Sequence, residues 1–504
     1  MFSLMLFLLG FFVSAVAIRY AIVLARRFGI VDKPGGHKAH DTVTPFVGGV
    51  GVFAAVLCGL VVVGEFPVPK GGHAQAFLVG VVAMFVTGFI DDIVHLNFKL
   101  RLVVQITVAL VMVYLGGVVL SDLGYLFTDQ PVQVGLGAVA LTVVATVGAI
   151  NALNMIDGID GLSGSLSLVS LLSIATAVYV AGDVAYFSQI VILAGGVAGF
   201  LYFNLRYLKQ RRARCFLGDN GSMLLGFVFA WLLSDLSQAS DGSPRAIAPV
   251  TTLWLFAVPL IDTLCVMLRR VWMGRSPFHA DRNHLHHLFL RAGFRVQDTV
   301  VVLACVQALF SAVGLLGLHL GVGDGVMLVA FAFMSMLCFW VLLRPWRLVP
   351  QLRSFQSVLG LTSVHAVGVH VGGLTEARLV VMSTVLTATI GRYVDFRFRV
   401  YRAEAGEGGD CYGIIELFCD DGEERAHHEI SRIIAALRRA TRRHPGIQVR
   451  QFVDRLAAND RRVAAAQGRP VDRRSRDRRS TGRAVLIYSL DSAAGESSVL
   501  ANNN

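Results

Sequence analysis

Charge is scarce in this sequence. Asp, Glu, Lys and Arg make up 16% of its 504 residues, against about 25% in ordinary soluble domains. With a mean hydropathy of +0.63, that shortage argues against a soluble globular protein. Paired cysteines are lacking too. Cys58, Cys215, Cys265, Cys305, Cys338, Cys411 and Cys419 form no C-x-x-C pair and follow no regular spacing. They read as free thiols, which argues against a disulfide scaffold and a structural zinc site. The glycines show no collagen-like period and suit close helix packing in lipid. No internal repeat is present.

Long apolar runs are abundant. A membrane span needs roughly 20 apolar residues, and about eleven such stretches occur, near 1–25, 45–65, 75–91, 100–120, 133–151, 162–181, 184–205, 217–234, 247–268, 298–319 and 324–344. The first has no basic n-region and no cleavage site, so it reads as a span rather than a signal peptide. Lysine and arginine gather in one set of loops, among them Arg26, Arg27, Lys33, Lys38, Lys99, Arg101, Arg206, Lys209, Arg211, Arg212, Arg214 and the stretch Arg269 to Arg295. The alternate loops hold Lys70 and Arg245 beside Asp122, Asp129, Asp235 and Asp241. The basic set is expected to face the cytoplasm, with the C-terminus on that side.

The expected fold is an all-α polytopic membrane protein of about eleven transmembrane helices over 1–345, followed by a cytoplasmic extension that is α+β or partly disordered. Within 346–455, β-rich runs near 377–390, 396–402 and 412–419 predict strands. Glu423 to Arg443 reads as an amphipathic helix, with Ala426, Ile430, Ile433, Ile434 and Leu437 on one stripe. His444, Pro445 and Gly446 stop it. Residues 456–504 read as an arginine-rich, disordered tail. Its arginines suit either a solvated linker or an anionic lipid surface. The extension offers a place for homo-oligomer or polysaccharide-assembly partners, and no recognised fold supports nucleic-acid binding.

Five aspartates lie at span edges on the basic side: Asp91 and Asp92 after the third stretch, Asp157 and Asp160 after the fifth, Asp219 at the start of the eighth. Arg282, His284, His286 and His287 join them. Each element has a plain reading alone. An aspartate pair ends many helices, Asp157-Gly158 is a common turn, Asp219 suits an N-cap, and three histidines fit a surface loop. A carboxylate at the bilayer centre costs about 3 kcal/mol, which puts these groups at the interface or in a wet cleft. Five carboxylates with a His/Arg cluster on one membrane face suit a divalent metal and a phosphorylated substrate.

Four motifs appear in order: Asp91-Asp92; Asn151, Asn154, Asp157 and Asp160 within the run to Leu162; Leu217, Gly218, Asp219, Gly221 and Ser222; and Asp281, Arg282, His284, His286 and His287. Together they resemble the polyprenyl-phosphate N-acetylhexosamine-1-phosphate transferases. Val31 to Pro34, Lys38, His40, Pro45, Gly48 and Gly49 are similar to the same family. The similarity covers roughly 1–345 and says nothing of 346–504. The His-x-His-His form resembles the WecA-type branch, which uses UDP-N-acetylglucosamine, more than the peptidoglycan-precursor branch. Two departures stand out: His95 where a third aspartate is frequent, and His37 where arginine is.

The resemblance implies transfer of N-acetylglucosamine 1-phosphate from UDP-N-acetylglucosamine to undecaprenyl phosphate, with release of UMP, at the bacterial inner membrane. It implies Mg²⁺, with Mn²⁺ able to substitute, held by Asp219 and with Asp92 as a second ligand. Asp91 or Asp92 would deprotonate the lipid phosphate, while Asp157 and Asp160 organise the nucleotide and the metal shell. Lys38, Lys99, Arg101, Asn151, Asn154, Arg282, His284, His286 and His287 would bind substrate. Two rivals are the same chemistry on another UDP-N-acetylhexosamine, and a secondary transporter using the aspartates as ion-coupling groups. A transporter site tends to lie near the midplane on broken helices, with inverted repeats.

Overall fold

The computed structural model describes residues 2–29, 31–32, 44–63, 73–207, 210, 212–239, 245–274, 276, 284–343 and 345–358, together with six strands between 365 and 499. The chain divides into two units. The first comprises 1–32, 44–288 and 296–345 and is mostly helical. Its helices are α1 (Phe2–Phe28), α2 (Gly48–Val63), α3 (His73–Val94), α4 (Phe98–Tyr114), α5 (Ala138–Ile156), α6 (Leu162–Ala181), α7 (Val184–Asn204), α8 (Gly218–Leu236), α9 (Pro249–Leu255), α10 (Ala257–Trp272), α12 (Val296–His319) and α13 (Asp324–Leu343). Two short antiparallel strands, β1 (Val31–Asp32) and β2 (Thr44–Pro45), lie between α1 and α2, and a short helix, α11 (Leu285–Ala292), follows α10.

Each of the eleven apolar stretches contains a helix. Among the described residues, seven helices are long and apolar enough to cross a membrane, or eight if the bent pair α9 and α10 counts as one span. Helices α2 and α4 have only 16 and 17 residues.

The stretch 247–268, read from sequence as one span, is bent by 86° between α9 and α10. Pro259 accounts for the break. A proline ring clashes with the carbonyl four residues earlier, here that of Leu255, the last residue of α9. The groups freed by the break are taken up by buried Gln307 of α12. Its Oε1 accepts from Val258 N at 2.9 Å, and its Nε2 donates to Leu255 O at 3.0 Å.

Helix α8 lies at the centre, packed by α2, α3 and α5. Trp231, Phe227 and Phe229 are fully buried along it. Packing is close enough that glycine is required at the crossings. A Cβ built on Gly88 of α3 would stand 2.4 Å from Asp219 O, and one on Gly226 of α8 would stand 2.4 Å from Ile150 Cα. Small residues at such crossings are how helices associate in lipid, where no hydrophobic force draws them together. Large apolar side chains such as Leu4, Phe12, Tyr20, Val329 and Phe333 remain on the outside, as a lipid-facing surface needs.

The second unit comprises 33–43, 289–295 and 346–504. Helix α14 (Pro345–Val358) leads into a six-stranded antiparallel sheet of β3 (His365–Leu374), β4 (Asp395–Ala403), β5 (Cys411–Cys419), β6 (Gln448–Gln451), β7 (Ala484–Asp491) and β8 (Glu496–Val499), in the order β6-β3-β5-β4-β7-β8. Strands β4 and β5 fall on the runs expected near 396–402 and 412–419. The strand expected at 377–390 and the helix at 423–443 lie outside the described residues. Strands β7 and β8 come from within 456–504, the stretch read from composition as disordered. Their Ala484 to Leu490 and Ser497 to Val499 follow the arginine-rich run, whose charge outweighs them in the composition of the whole stretch.

The α3–α8 crossing gives a direct test. Gly88→Ala should lower thermal stability by about 1–3 kcal/mol through overpacking. Gly323→Ala, where a Cβ meets nothing within 4 Å, should stay within about 0.5 kcal/mol of the parent. Thermal unfolding in detergent compares the two.

Candidate active site

The five aspartates lie at helix ends, three at C-terminal and two at N-terminal ends. Asp91 and Asp92 sit in the last turn of α3, Asp157 follows α5, Asp160 precedes α6, and Asp219 occupies the first turn of α8. A helix start leaves backbone N–H groups without intrahelical partners. At α8 those groups are taken by Asp92: Oδ1 accepts from Asp219 N at 2.9 Å, and Oδ2 accepts from Asn220 N at 3.2 Å and Asn220 Nδ2 at 2.5 Å. Asp92 is therefore the cap of α8, supplied from another helix. The approach requires Gly218, whose φ is +79° and whose added Cβ would stand 2.7 Å from Asp92 Oδ2.

With its backbone held this way, the Asp219 side chain is free for other partners. Oδ1 accepts from Asn154 Nδ2 at 2.6 Å, and Oδ2 lies 3.9 Å from Arg101 Nη1. The Asp91 carboxylate faces Asp219. Asp91 also accepts from Leu96 N at 2.7 Å and from Arg101 Nη1 at 2.5 Å. Arg101 thus bridges two like charges. Asn151 donates to Gln105 Oε1 at 2.7 Å, which ties α5 to α4 beside this centre.

The turn between α5 and α6 carries the other pair. Asp157 accepts from Ser163 Oγ at 2.5 Å. Burial pushes its carboxyl up to about 7; the Ser163 hydroxyl pulls the other way, and Asp219 and Asp160 add like-charge repulsion. Asp160 is buried and paired with Arg206 Nε at 2.7 Å. Gly161, with a φ of +85°, donates its N–H to Asn204 Oδ1 at 2.6 Å. Asp160 and Asn204 hold the turn in shape, and Asp157 is the member left near neutral titration.

His284, His286 and His287 are brought together, with ring centroids 5.7 Å apart for the first two and 4.2 Å for the last two. His284 Nδ1 lies 2.8 Å from Asp262 Oδ2. A Cβ on Gly158 would stand 2.4 Å from His286 Nε2, so this ring rests on the Asp157-Gly158 turn. A cavity of about 890 Å³ joins the histidines to Arg101, Asn151 and Asn154, and continues between α4, α5, α8, α9 and α10 past apolar side chains such as Leu120, Val144 and Leu253.

Not every expected residue reaches this centre. Lys99 is exposed in the first turn of α4 and does not line the cavity. Lys38 and Arg282 lie outside the described residues. His95 takes a left-handed backbone with φ 52° as it closes α3, its N–H bonded to Asp91 O. Residues overlooked in the sequence include Asn204, Arg206, Ser163, Asn220 and Asp262. Asp262 left a signal, being a lone carboxylate inside an apolar stretch.

Residues 74–237 match the family described as glycosyl transferase family 4. The undecaprenyl-phosphate alpha-N-acetylglucosaminyl 1-phosphate transferases of Escherichia coli O157:H7 and Salmonella typhi are each 35% identical to this chain over 338 residues, 67% of this chain and 90% of theirs. The protein of the same name from Pasteurella multocida (strain Pm70) is 35% identical over 355 residues, 70% and 96%. The chain belongs to glycosyl transferase family 4. It is an enzyme of the transferase class, embedded in a membrane by several apolar helices. The family match runs from α3 to α8 and contains all five aspartates, while the histidines of α11 lie beyond it.

Burial drives the His286 imidazole down to about 2, and His287 and His284 add to the shift. The ring is therefore neutral in the folded protein where an unfolded chain, near 6.5, takes up a proton. Its contribution is complete above about pH 6.5 and is lost as pH falls, at about 1.4 kcal/mol per unit. Between pH 6.5 and 5.5 the parent protein should lose about 1 kcal/mol more stability than His286→Gln. Thermal midpoints across that window measure the difference.

Proposed function

We propose that this chain transfers N-acetylglucosamine 1-phosphate from UDP-N-acetylglucosamine to undecaprenyl phosphate, releasing UMP and beginning a lipid-linked glycan. The observation that carries the reading is the cavity that meets Arg101, Asn154 and the histidines at one end and apolar helix faces along the rest. Such a space suits a substrate whose phosphate lies at headgroup depth and whose isoprenoid tail stays among helices. Similarity to relatives bearing this activity in their name supports the same substrates. Another UDP-N-acetylhexosamine would need the same chemistry, and the assay below separates the two.

Two anions must approach each other in this reaction, so neutralising charge is the main catalytic task. Five carboxylates here face two guanidiniums, Arg101 and Arg206. Among the described residues no cluster of three or more His, Cys, Asp or Glu forms a cage for a metal. Mg²⁺ does not need one, because it is commonly held by one or two carboxylates plus substrate phosphates. Asp219, partly exposed and facing Asp91, has the donors for it. When bound, the ion would offset the charge of the phosphates. Asp92 acts through Asp219 by fixing the start of α8, and Asn154 fixes the carboxylate. Asp157, raised toward neutrality, suits proton transfer to or from a phosphate. Arg101 and the histidines contact phosphate or sugar oxygens.

The basic residues Arg26, Arg27, Arg101, Arg206, Arg212, Arg214, Arg269 and Arg270 lie in the helix ends and loops that flank the aspartates, which supports a site on the cytoplasmic face of the bacterial inner membrane. All eleven apolar stretches then serve as spans, with α8 enclosed by the others. A cysteine introduced at exposed Thr128 should react with an impermeant thiol reagent from the periplasm, and one at Ser276 should not. The reverse pattern overturns the orientation.

Purified protein supplied with undecaprenyl phosphate and a panel of UDP-sugars should release UMP with UDP-N-acetylglucosamine. Attack at carbon would release UDP instead and would refute the reading. In the same assay Asp219→Asn should fold normally, since asparagine serves α8 as well sterically, yet lose at least about a hundredfold in turnover, about 2.7 kcal/mol of transition-state stabilisation. Near-normal turnover with an unchanged magnesium requirement would move the metal to another carboxylate.

A further inference from the structure

Asp262 is wholly buried in α10, and no step above gives it a task. Its two oxygens are divided. Oδ1 accepts from Leu285 N at 2.8 Å, the backbone that opens α11, and Oδ2 lies 2.8 Å from His284 Nδ1. His284 in turn lines the cavity, its ring stacked on that of His286 at an interplanar angle of 11°. Capping α11 would need only one neutral oxygen, which asparagine supplies about as well. Burying a carboxylate for that purpose alone is unfavourable. The second oxygen, on the imidazole, explains why an acid stands here.

An imidazole whose Nδ1 faces a carboxylate keeps a proton on that nitrogen, so the other nitrogen is the one available to a ligand. In the neutral ring, Nε2 is then an acceptor. When the ring takes up a second proton it does so at Nε2, which becomes a cationic donor with its countercharge already behind it. That is the form suited to a phosphate oxygen. We propose that Asp262 is a positioning residue for the transferase reaction, holding the Nδ1 proton of His284 and the start of α11 so that the Nε2 edge serves the phosphate-bearing substrate in the cavity. The inference rests on the transferase reading above. It adds the residue that sets the histidine's hydrogen-bonding state, contributed by the span that breaks at Phe256.

Asp262→Asn separates the two bonds. Its Oδ1 still caps α11, but its Nδ2 donates where the carboxylate accepted, which moves the His284 proton to Nε2 and removes the countercharge. Protein labelled with ¹⁵N-histidine reads this directly, with the His284 signals assigned by their loss in His284→Gln. The expected result is a neutral ring protonated on Nδ1 in the parent and on Nε2 in Asp262→Asn, with an unchanged thermal midpoint. Transfer activity should fall about 10- to 100-fold, the usual cost of losing such a partner, and Asp262→Asn should cost less than about twofold further on a His284→Gln background. Asp262→Ala should lose at least as much activity as Asp262→Asn. Three outcomes overturn the proposal: an unchanged His284 signal in Asp262→Asn, losses that multiply in the double variant, or an Asp262→Asn protein that fails to fold and so makes the carboxylate a structural requirement. If the parent protein released no UMP with any sugar, the transferase reading would fail, and the ¹⁵N signature would still decide what Asp262 does to His284.

Discussion

The cap that α3 gives to α8 is the contact on which the site depends. A helix start left in an apolar surround without acceptors is unfavourable, because each buried N–H that loses water must find a partner. Asp92 supplies both oxygens, to Asp219 N, Asn220 N and the Asn220 amide. Gly88 and Gly218 let the two backbones come close enough for that. One result is mechanical: α8, the central helix, cannot shift along α3 without losing all three bonds. The other is chemical. Because Asp92 meets the backbone need, the Asp219 side chain is left to Asn154 and Arg101. Two adjacent aspartates on α3 thus divide the work, Asp92 toward α8 backbone and Asp91 toward Arg101.

The broken span carries the same logic to the other side of the cavity. Pro259 forbids a continuous helix, and Gln307 takes up Val258 N and Leu255 O where the ladder is interrupted. The 86° bend opens room between α5, α8 and α10. It also starts a new helix just before Asp262, so that this carboxylate meets the histidines of α11. Backbone irregularity inside a membrane protein is tolerated where side chains re-satisfy it. Here one glutamine does so, and the irregular segment forms a wall of the cavity.

Much of this could be read from the residues. The apolar runs located the helices, since roughly 20 apolar residues leave few alternatives in a chain with so little charge. Asp91, Asp92, Asp157, Asp160 and Asp219 stood out because carboxylates at span edges are conspicuous there. Their individual tasks were not legible. Whether an aspartate caps a neighbouring helix, as Asp92 does, or pairs with an arginine, as Asp160 does with Arg206, depends on contacts between residues 46 to 127 positions apart. No local pattern encodes such a pairing. The 247–268 break was visible in Pro259, whose ring excludes a helical Leu255 carbonyl partner, yet hydropathy alone conceals it. Strands β7 and β8 were hidden for a different reason: charge statistics over a window blur a short β-rich run such as Ala484 to Leu490 into its arginine-rich neighbour.

Placing the carboxylates at helix ends also decides between kinds of chemistry. A coupling ion carried across a membrane is bound near the midplane, between broken helices that move. The break at Phe256 lies in such a helix, but the groups that take up its freed backbone are neutral, Gln307 bonding Val258 N and Leu255 O. The buried carboxylate further along, Asp262, is bound to His284 and Leu285 N rather than left to an ion. The five aspartates of the site lie instead around the α8 start and the turn between α5 and α6, where Arg101 pairs with Asp91 and Arg206 with Asp160. Carboxylates gathered beside a cavity suit an anionic substrate that arrives with a cation. The carboxylates fit the divalent cation proposed above, phosphate oxygens would complete its shell, and the apolar continuation of the cavity fits a lipid phosphate as one of them.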